Sequence, residues 1–286
     1  MSEVFFKELN LPKPDYNLEV APSSQNKQTA EMLVKLEDVI LKEKPDWVMV
    51  YGDTTSTLAG ALAAAKLHVP VAHVEAGLRS FNKAMPEEIN RLVADHCSSL
   101  LFCPNKASVE NLHKEGVTQG VHLVGDVMED ALRAGLKIAE KKSRILAELK
   151  LAPKKYLLVT VHRQSNTDVK ENLQNIVEAL AELAKKWTIV FPVHPRTNKM
   201  LQQFGLESAL KHLNIKLVEP VGYVDMLWLE KNAFKILTDS GGVQREAVWL
   251  DVPCLVLREE TEWSELVEQG KIVVVGIKKK SIVSSV

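Results

Sequence analysis

An α/β fold of two domains, each a parallel sheet with helices on both faces, is predicted by three observations. Short β-rich apolar runs alternate with amphipathic helical stretches from residue 46 onward. The alternation comes in two series, separated by a charged helical stretch that ends near Lys150. Each joining stretch is long enough for the crossover that parallel strands require. A chain of 286 residues is comfortable as two domains of ordinary size. Its 46% hydrophobic and 26% charged residues form a globular balance, not a disordered one.

The first series opens with residues 46–51, an apolar run that reads as a buried strand, and Gly52-Asp53-Thr54-Thr55 as its exit loop. The Ala/Leu-rich run 57–67 reads as a helix and 69–74 as the next strand, which completes a βαβ unit. Further strands are predicted at 99–103 and 122–124. The second series has strands at 156–161, 188–193, 215–218, 234–238, 254–257 and 271–275. Between the first two of these runs lies a helix, about 169–185, with Leu173, Ile176, Val177 and Leu180 on one face and a capping box at Asp168 and Glu171. The pattern places one Rossmann-like domain at 1–150 and a second at 151–286, with a cleft between them. Residues 1–45 offer two helical segments and an extended piece, 16–22, but no strand–glycine-loop–helix opening. The last residues, with Lys278-Lys279-Lys280, read as a solvated tail without closing helices. The first domain is therefore expected to be incomplete.

Thirty-six basic against thirty-seven acidic side chains exclude a generally basic nucleic-acid binder. Cys97, Cys103 and Cys254 are odd in number and form no C-x-x-C pair, so neither a disulfide framework nor a zinc cage is suggested. The charged start lacks a signal-like apolar core, and the longest apolar stretch, 58–65, is far short of a membrane span. The expectation is a cytoplasmic protein without membrane or nucleic-acid partners.

Ligands of open α/β sheets sit beyond the carboxyl ends of strands. Asp53, Glu75, His162, His194 and Asp239-Ser240-Gly241-Gly242 fall there, and Glu87 and Glu88 start a helix at Met85-Pro-Glu-Glu. Ser240, Gly241 and Gly242 at a helix N-terminus expose backbone N–H groups to an anion, and Glu246, one turn later, could accept from ribose hydroxyls. An ordinary Ser N-cap and tight turn would look the same. Acids at strand ends suit general acid and base work, whereas for Glu87 favourable placement on the helix dipole is sufficient reason. His162 and His194 could equally be strand-end histidines. His68, His113 and His212 read as solvated positions on helical segments. Together the set points to a phosphate-bearing substrate undergoing proton transfer.

Several stretches occur together and in order: Gly52-Asp-Thr-Thr-Ser-Thr, His73-Val-Glu-Ala-Gly-Leu-Arg, Met85-Pro-Glu-Glu-Ile-Asn-Arg, His162-Arg163, Leu237-Thr-Asp-Ser-Gly-Gly-Val-Gln and Thr261-Glu262. In these the chain resembles the non-hydrolysing UDP-N-acetylglucosamine 2-epimerases, over nearly its whole length. Variants such as Phe191-Pro-Val-His-Pro-Arg-Thr look more like archaeal members. The resemblance implies a glycosyltransferase-B-like pair of domains, no metal, no nicotinamide or other cofactor, and a homodimer. It implies interconversion of UDP-GlcNAc and UDP-ManNAc, for surface polysaccharide or glycan, by expulsion of UDP and its re-addition to a 2-acetamidoglucal. Carried over, Asp53, Glu75 and Glu87 are the acid/base carboxylates and His162 contacts the UDP phosphates. Ser240, Gly241 and Gly242 cradle the diphosphate and Glu246 holds the ribose.

There are departures. The family's opening strand with Gly-Thr-Arg-Pro-Glu has no counterpart here, so Met1 matches an internal family position and apolar sheet is expected to be exposed. The closing C-terminal helix of the family also has no counterpart. Trp263 stands where many bacterial members have Arg, and Met226 where some have an aromatic. Two other classes stay open, a nucleotide-sugar-binding remnant without catalysis and a glycosyltransferase of the same fold.

Overall fold

The computed structural model describes residues 12–21, 23–211 and 214–286. His212 and Pro22, the end of the extended piece 16–22, lie outside them, as do residues 1–11. The chain divides into two compact units, Lys13–Met128 and a second that contains Glu129–Val286.

In the first unit a four-stranded sheet runs β1 (Val48–Tyr51), β2 (Val71–Val74), β3 (Leu100–Cys103), β4 (Val121–Leu123) in sequential order, all parallel. Helices α1 (Gln25–Glu43), α2 (Thr55–Lys66), α3 (Pro86–Cys97) and α4 (Lys106–Lys114) accompany it. Helix α2 is built from small residues, and Ala59, Gly60, Ala61, Ala63 and Ala64 are buried. With so little side chain between them, α1 and α3 pack closely against it. Its first turn is held by Thr57, whose Oγ1 accepts from the Thr54 N–H at 3.2 Å and donates to the Tyr51 carbonyl at 2.5 Å.

The run 46–51, expected to be a buried strand, is corrected by its place at the edge of this sheet. Val50 is 7% exposed and faces Gly60 of α2, while Met49 and Tyr51, on the opposite face, are 51% and 61% exposed. A strand alternates its side chains, so cover on one face protects only every second residue.

The exit of β2 is fixed by a buried polar cluster. Asp95, wholly buried on α3, accepts from the Gly77 N–H at 3.1 Å and from Arg79 Nη1 at 2.7 Å through Oδ2. Its Oδ1 lies 2.7 Å from His73 Nδ1, and the other ring nitrogen of His73 lies 2.8 Å from the Gly52 carbonyl. Arg79 completes a bidentate pair with Glu115, both contacts at 2.7 Å. These contacts join the exits of β1 and β2 to α3.

The second unit holds a six-stranded parallel sheet with strands β5 (Tyr156–Thr160), β6 (Thr188–Pro192), β7 (Ile215–Val218), β8 (Lys235–Thr238), β9 (Cys254–Val256) and β10 (Ile272–Val274). Their order is β10-β9-β8-β5-β6-β7. The chain winds outward from β5 through β6 to β7, then returns to β8 on the other side of β5 and winds outward again. The gap between the carboxyl ends of β5 and β8 is thus a topological switch point, where loops diverge and a ligand has room. Helix α5 (Val127–Lys142) and the residues up to 150 pack with this unit. Gly135 lies against Leu227 and Tyr223, and Ser143 Oγ donates to Asp225 Oδ1 at 2.6 Å.

Helices α6 (Ile145–Glu148) and α7 (Gln164–Thr167) are single turns, and α8 (Lys170–Leu183) buries Leu173, Ile176, Val177, Leu180 and Leu183 as its periodicity predicts. Its N-cap is Val169, not the expected Asp168, because Asp168 is engaged by Arg196 Nη2 at 2.6 Å. The C-terminal tail corrects the expectation of a solvated end. Residues Lys279–Ser285 form a helix that packs on α8, with Ile282 wholly buried. Among the described residues no helix is long and apolar enough to cross a membrane.

The Asp95 cluster makes a stability prediction. Removing one partner leaves buried donors without an acceptor, so Asp95→Ala should cost about 3 kcal/mol in urea unfolding. A loss under about 1 kcal/mol would mean that Arg79 and His73 find other partners.

Candidate active site

In the first unit, Asp53 and Glu75 follow the adjacent strands β1 and β2, paired up to Tyr51 and Val74. Gly52 and Glu75 both adopt positive φ, 64° and 72°. For Glu75 this is an unusual conformation, which the surrounding contacts hold; its N–H and that of Ala76 both donate to the Phe102 carbonyl at 3.1 Å. A Cβ placed on Gly52 would lie 3.3 Å from Glu75 Oε2, so glycine here leaves room for that carboxyl beside Asp53.

Asp53 is held by α3. Arg91 donates to its Oδ2 from Nε at 3.0 Å and Nη2 at 2.8 Å, and Asn90 Nδ2 donates to its carbonyl at 2.8 Å. Both side-chain bonds fall on Oδ2, which leaves Oδ1 without a hydrogen bond among the described residues. The first turn of α3 also separates the two neighbouring glutamates. Glu88 is buried and saturated: it accepts from the Ser80 N–H and Oγ, the Phe81 N–H and Arg91 Nη1. These donors and Arg91 hold its carboxyl below the usual range in spite of burial. Glu87 is half-buried and has no hydrogen-bond partner among the described residues. Glu88 is therefore a brace and Glu87 is the acid left available.

In the second unit the switch point is organised by Asp239, wholly buried after β8. Its oxygens accept from the backbone N–H of His162 and of Arg163 and from Asn166 Nδ2, all at 3.0 Å. The His162 ring sits over it, Nδ1 at 3.3 Å from Oδ1, and 5.6 Å from the ring of His194. Burial is the main cause that pushes the His162 pKa below its usual value; His194 and Arg163 act the same way, against the pull of Asp239. The ring is then neutral at pH 7, and a bound anion would favour its protonation. His194 itself caps the next helix, its Nδ1 accepting from the Arg196 N–H at 3.2 Å. That gives it a structural role.

Ser240 is the N-cap of α12 (Gly241–Trp249), its Oγ accepting from the Val243 N–H at 3.4 Å. Helices α9 (Pro195–Gln203), α10 (Glu207–Leu210) and α11 (Tyr223–Asn232) precede it in the chain. The two glycines have different reasons. A Cβ on Gly241 would collide with Glu262 Oε1, whereas one on Gly242 meets nothing nearer than Ser240 Oγ at 3.9 Å. Glu262 is fixed there by Arg258 Nη1 at 2.7 Å and Arg163 Nη2 at 3.4 Å, and Trp263 Nε1 donates to the Gly241 carbonyl at 3.0 Å. Glu246 follows one turn into α12, half-buried. Sequence alone assigns no bracing role to Asp239, Asn166, Arg258 or Glu262, which hold this site together. The available signal is their membership of polar stretches at strand ends.

The difference between the glycines is measurable. Gly241→Ala should destabilise the chain by displacing Glu262. Gly242→Ala, on an open helix position, should be neutral or stabilise by about 0.5–1 kcal/mol. Equal urea midpoints for the two variants would contradict the contact at Gly241.

Comparison with known proteins adds an independent finding. The profile described as UDP-N-acetylglucosamine 2-epimerase matches residues 1–286. A UDP-N-acetylglucosamine 2-epimerase homolog of Methanococcus maripaludis is 54% identical over 288 residues, covering 100% of this chain and 80% of the relative. A UDP-2,3-diacetamido-2,3-dideoxy-D-glucuronate 2-epimerase of Pseudomonas aeruginosa is 48% identical over 290 residues, covering 100% of this chain and 79% of its own length. The crystal structure of Methanocaldococcus jannaschii UDP-GlcNAc 2-epimerase in complex with UDP-GlcNAc and UDP superposes with a TM-score of 0.92 at 49% identity, covering 100% of this chain and 80% of that one. With a profile match across its whole length and relatives of this identity, the chain belongs to the UDP-N-acetylglucosamine 2-epimerase family.

Proposed function

We propose that the chain interconverts UDP-GlcNAc and UDP-ManNAc at C2, with the site residues in the roles the resemblance implies. One observation carries this most directly. Of the two glutamates that open α3, the braced one is Glu88, while Glu87, with Asp53 Oδ1, keeps hydrogen-bonding capacity open. In the elimination, one of Asp53, Glu75 and Glu87 takes the C2 proton. The C2–H electron pair becomes the C1=C2 bond, and the C1–O bond breaks with its electrons going to UDP. Re-addition reverses these steps, with a proton delivered to the opposite face of C2.

The second unit has the features that a departing diphosphate needs. Its helix N-terminus at Ser240, Gly241 and Gly242 favours an anion, and His162 can become a hydrogen-bonding cation as negative charge gathers on the leaving group. Glu246 would accept from the ribose hydroxyls. We assign the acid/base work to the N-terminal domain and UDP binding to the C-terminal one.

A second substrate is favoured by a specific finding. The relative named for UDP-2,3-diacetamido-2,3-dideoxy-D-glucuronate is about as similar as the archaeal UDP-GlcNAc enzyme, 48% against 49% identity. Both names specify epimerisation at C2, and both sugars are carried on UDP. The residues assigned above serve either.

Proton NMR in D2O tests the reaction. Loss of the C2 proton signal with UDP-ManNAc appearing supports the proposal; no exchange with either UDP-sugar refutes it. Exchange only with the diacetamido-glucuronate sugar would transfer the assignment to that substrate, and free ManNAc would mark a hydrolysing enzyme. Asp53→Asn should abolish exchange, at least 100-fold, and spare UDP affinity. Gly241→Val should lose UDP affinity first. Calorimetry in two buffers at pH 6 checks His162. UDP should bring more proton uptake in the native chain than in His162→Gln, because the anion raises a pKa that burial holds down. Equal uptake would separate His162 from the phosphates.

A further inference from the structure

The proposed ribose residue Glu246 does not stand alone. Behind it lies Glu230, on α11, with no exposed surface. Neither Glu230 oxygen has a hydrogen-bond donor among the described residues, and the Tyr223 hydroxyl, two turns earlier on the same helix, is also buried without a partner. Among the described residues, the group within hydrogen-bond reach of the Glu230 carboxyl is that of Glu246. Two carboxylates cannot satisfy each other, since both are acceptors only. With one proton between them, one becomes a donor and the contact is a hydrogen bond.

We propose that Glu230 is a positioning residue: it keeps its proton, donates it in a hydrogen bond to Glu246, and so aims the ionised Glu246 carboxylate at the two ribose hydroxyls of a uridine nucleotide. The proton belongs on Glu230 because that side chain is the more deeply buried. Burial, then the Glu246 charge and hydrogen bond, hold its pKa well above the ordinary carboxyl value. Glu246 is raised mainly by burial as well, but Arg245 and the Glu230 hydrogen bond pull it back down. Arg245 faces the pair from α12 and acts on Glu246, Tyr223 faces it from α11, Tyr156 from β5 and Cys254 from β9. The Tyr156 hydroxyl is committed to the Leu229 carbonyl at 2.5 Å, and the Arg245 guanidinium stacks 4.4 Å from the Trp263 ring. A nucleotide diol supplies two donors to Glu246, and a donor behind it completes the set without a second buried charge.

This inference rests on the assignment of Glu246 to the ribose, and the test separates the two. UDP and its 2′-deoxy analogue are titrated calorimetrically into the native chain and into Glu246→Gln, Glu230→Leu and Glu230→Gln, between pH 7 and 9. Native preference for UDP, lost in Glu246→Gln, establishes the ribose contact; without it the ribose assignment fails and the inference falls with it. Given that contact, Glu230→Leu should weaken UDP binding on the order of tenfold. Glu230→Gln, whose amide donates at every pH, should restore most of that affinity. Unaltered UDP affinity and ribose preference in Glu230→Leu would overturn the inference with the ribose contact intact.

Stability supplies a second readout. A carboxyl raised in the folded state binds more protons there than in the unfolded chain, so native stability falls as pH rises above the ordinary value of 4.5. Glu230→Gln lacks that slope. Its melting temperature should exceed the native one by a margin that widens from pH 5 to pH 8, and a constant margin would mean that Glu230 holds no proton.

Discussion

A carboxylate buried at the carboxyl end of a parallel sheet must find N–H donors, and in this protein the donors it finds are the loops that bear the site. Asp239 draws in the backbone of His162 and Arg163 and the side chain of Asn166. Asp95 does the same for Gly77, Arg79 and His73. Ionised groups of this kind are costly in an apolar interior unless their hydrogen-bonding capacity is filled, so each loop has little freedom to leave. The geometry of the strand exits therefore follows from two aspartates that are themselves out of reach of solvent.

The same economy separates open groups from supports. Glu88, Arg91, Arg79 and Glu115 are occupied by one another and by backbone. Among the described residues, Glu87 and one oxygen of Asp53 are left over. In the second unit, Arg258 and Arg163 fix Glu262 against Gly241, and the Trp263 indole holds the carbonyl of that glycine. Trp263 thus anchors the first residue of α12. The Glu230 and Glu246 pair is the exception, a place where the partner of one acid is another acid.

Much of this is legible in the residues alone, for particular reasons. The apolar face of α8 follows a 3.6-residue period, and Leu173, Ile176, Val177 and Leu180 are buried as that period requires. The turn Asp239-Ser240-Gly241-Gly242 is recognisable as the start of a helix after a strand, and only the motifs around it separate an anion turn from an ordinary Ser N-cap. Other features depend on packing partners distant in the chain. Asp168 has the spacing of a cap and is instead a partner of Arg196, 28 residues on. The run 46–51 is apolar enough to be buried, yet helix cover on one face alone leaves Met49 and Tyr51 exposed on the other. The three lysines at 278–280 read as solvent-facing, and the helix they begin is held by Ile282, whose burial needs α8 beside it.

By itself, then, the sequence determined the repeating βα units, the parallel sheets and the polar residues at strand ends, because periodicity and turn chemistry are local. The order of strands, and with it the switch point between β5 and β8, was decided by tertiary structure. So were the bracing that occupies Glu88 and leaves its neighbour Glu87 open, where the resemblance had singled out Glu87 without a physical reason, and the choice of Gly241 over Gly242 as the glycine that admits no side chain. Each of these depends on what approaches from elsewhere in the chain, which no stretch of residues records.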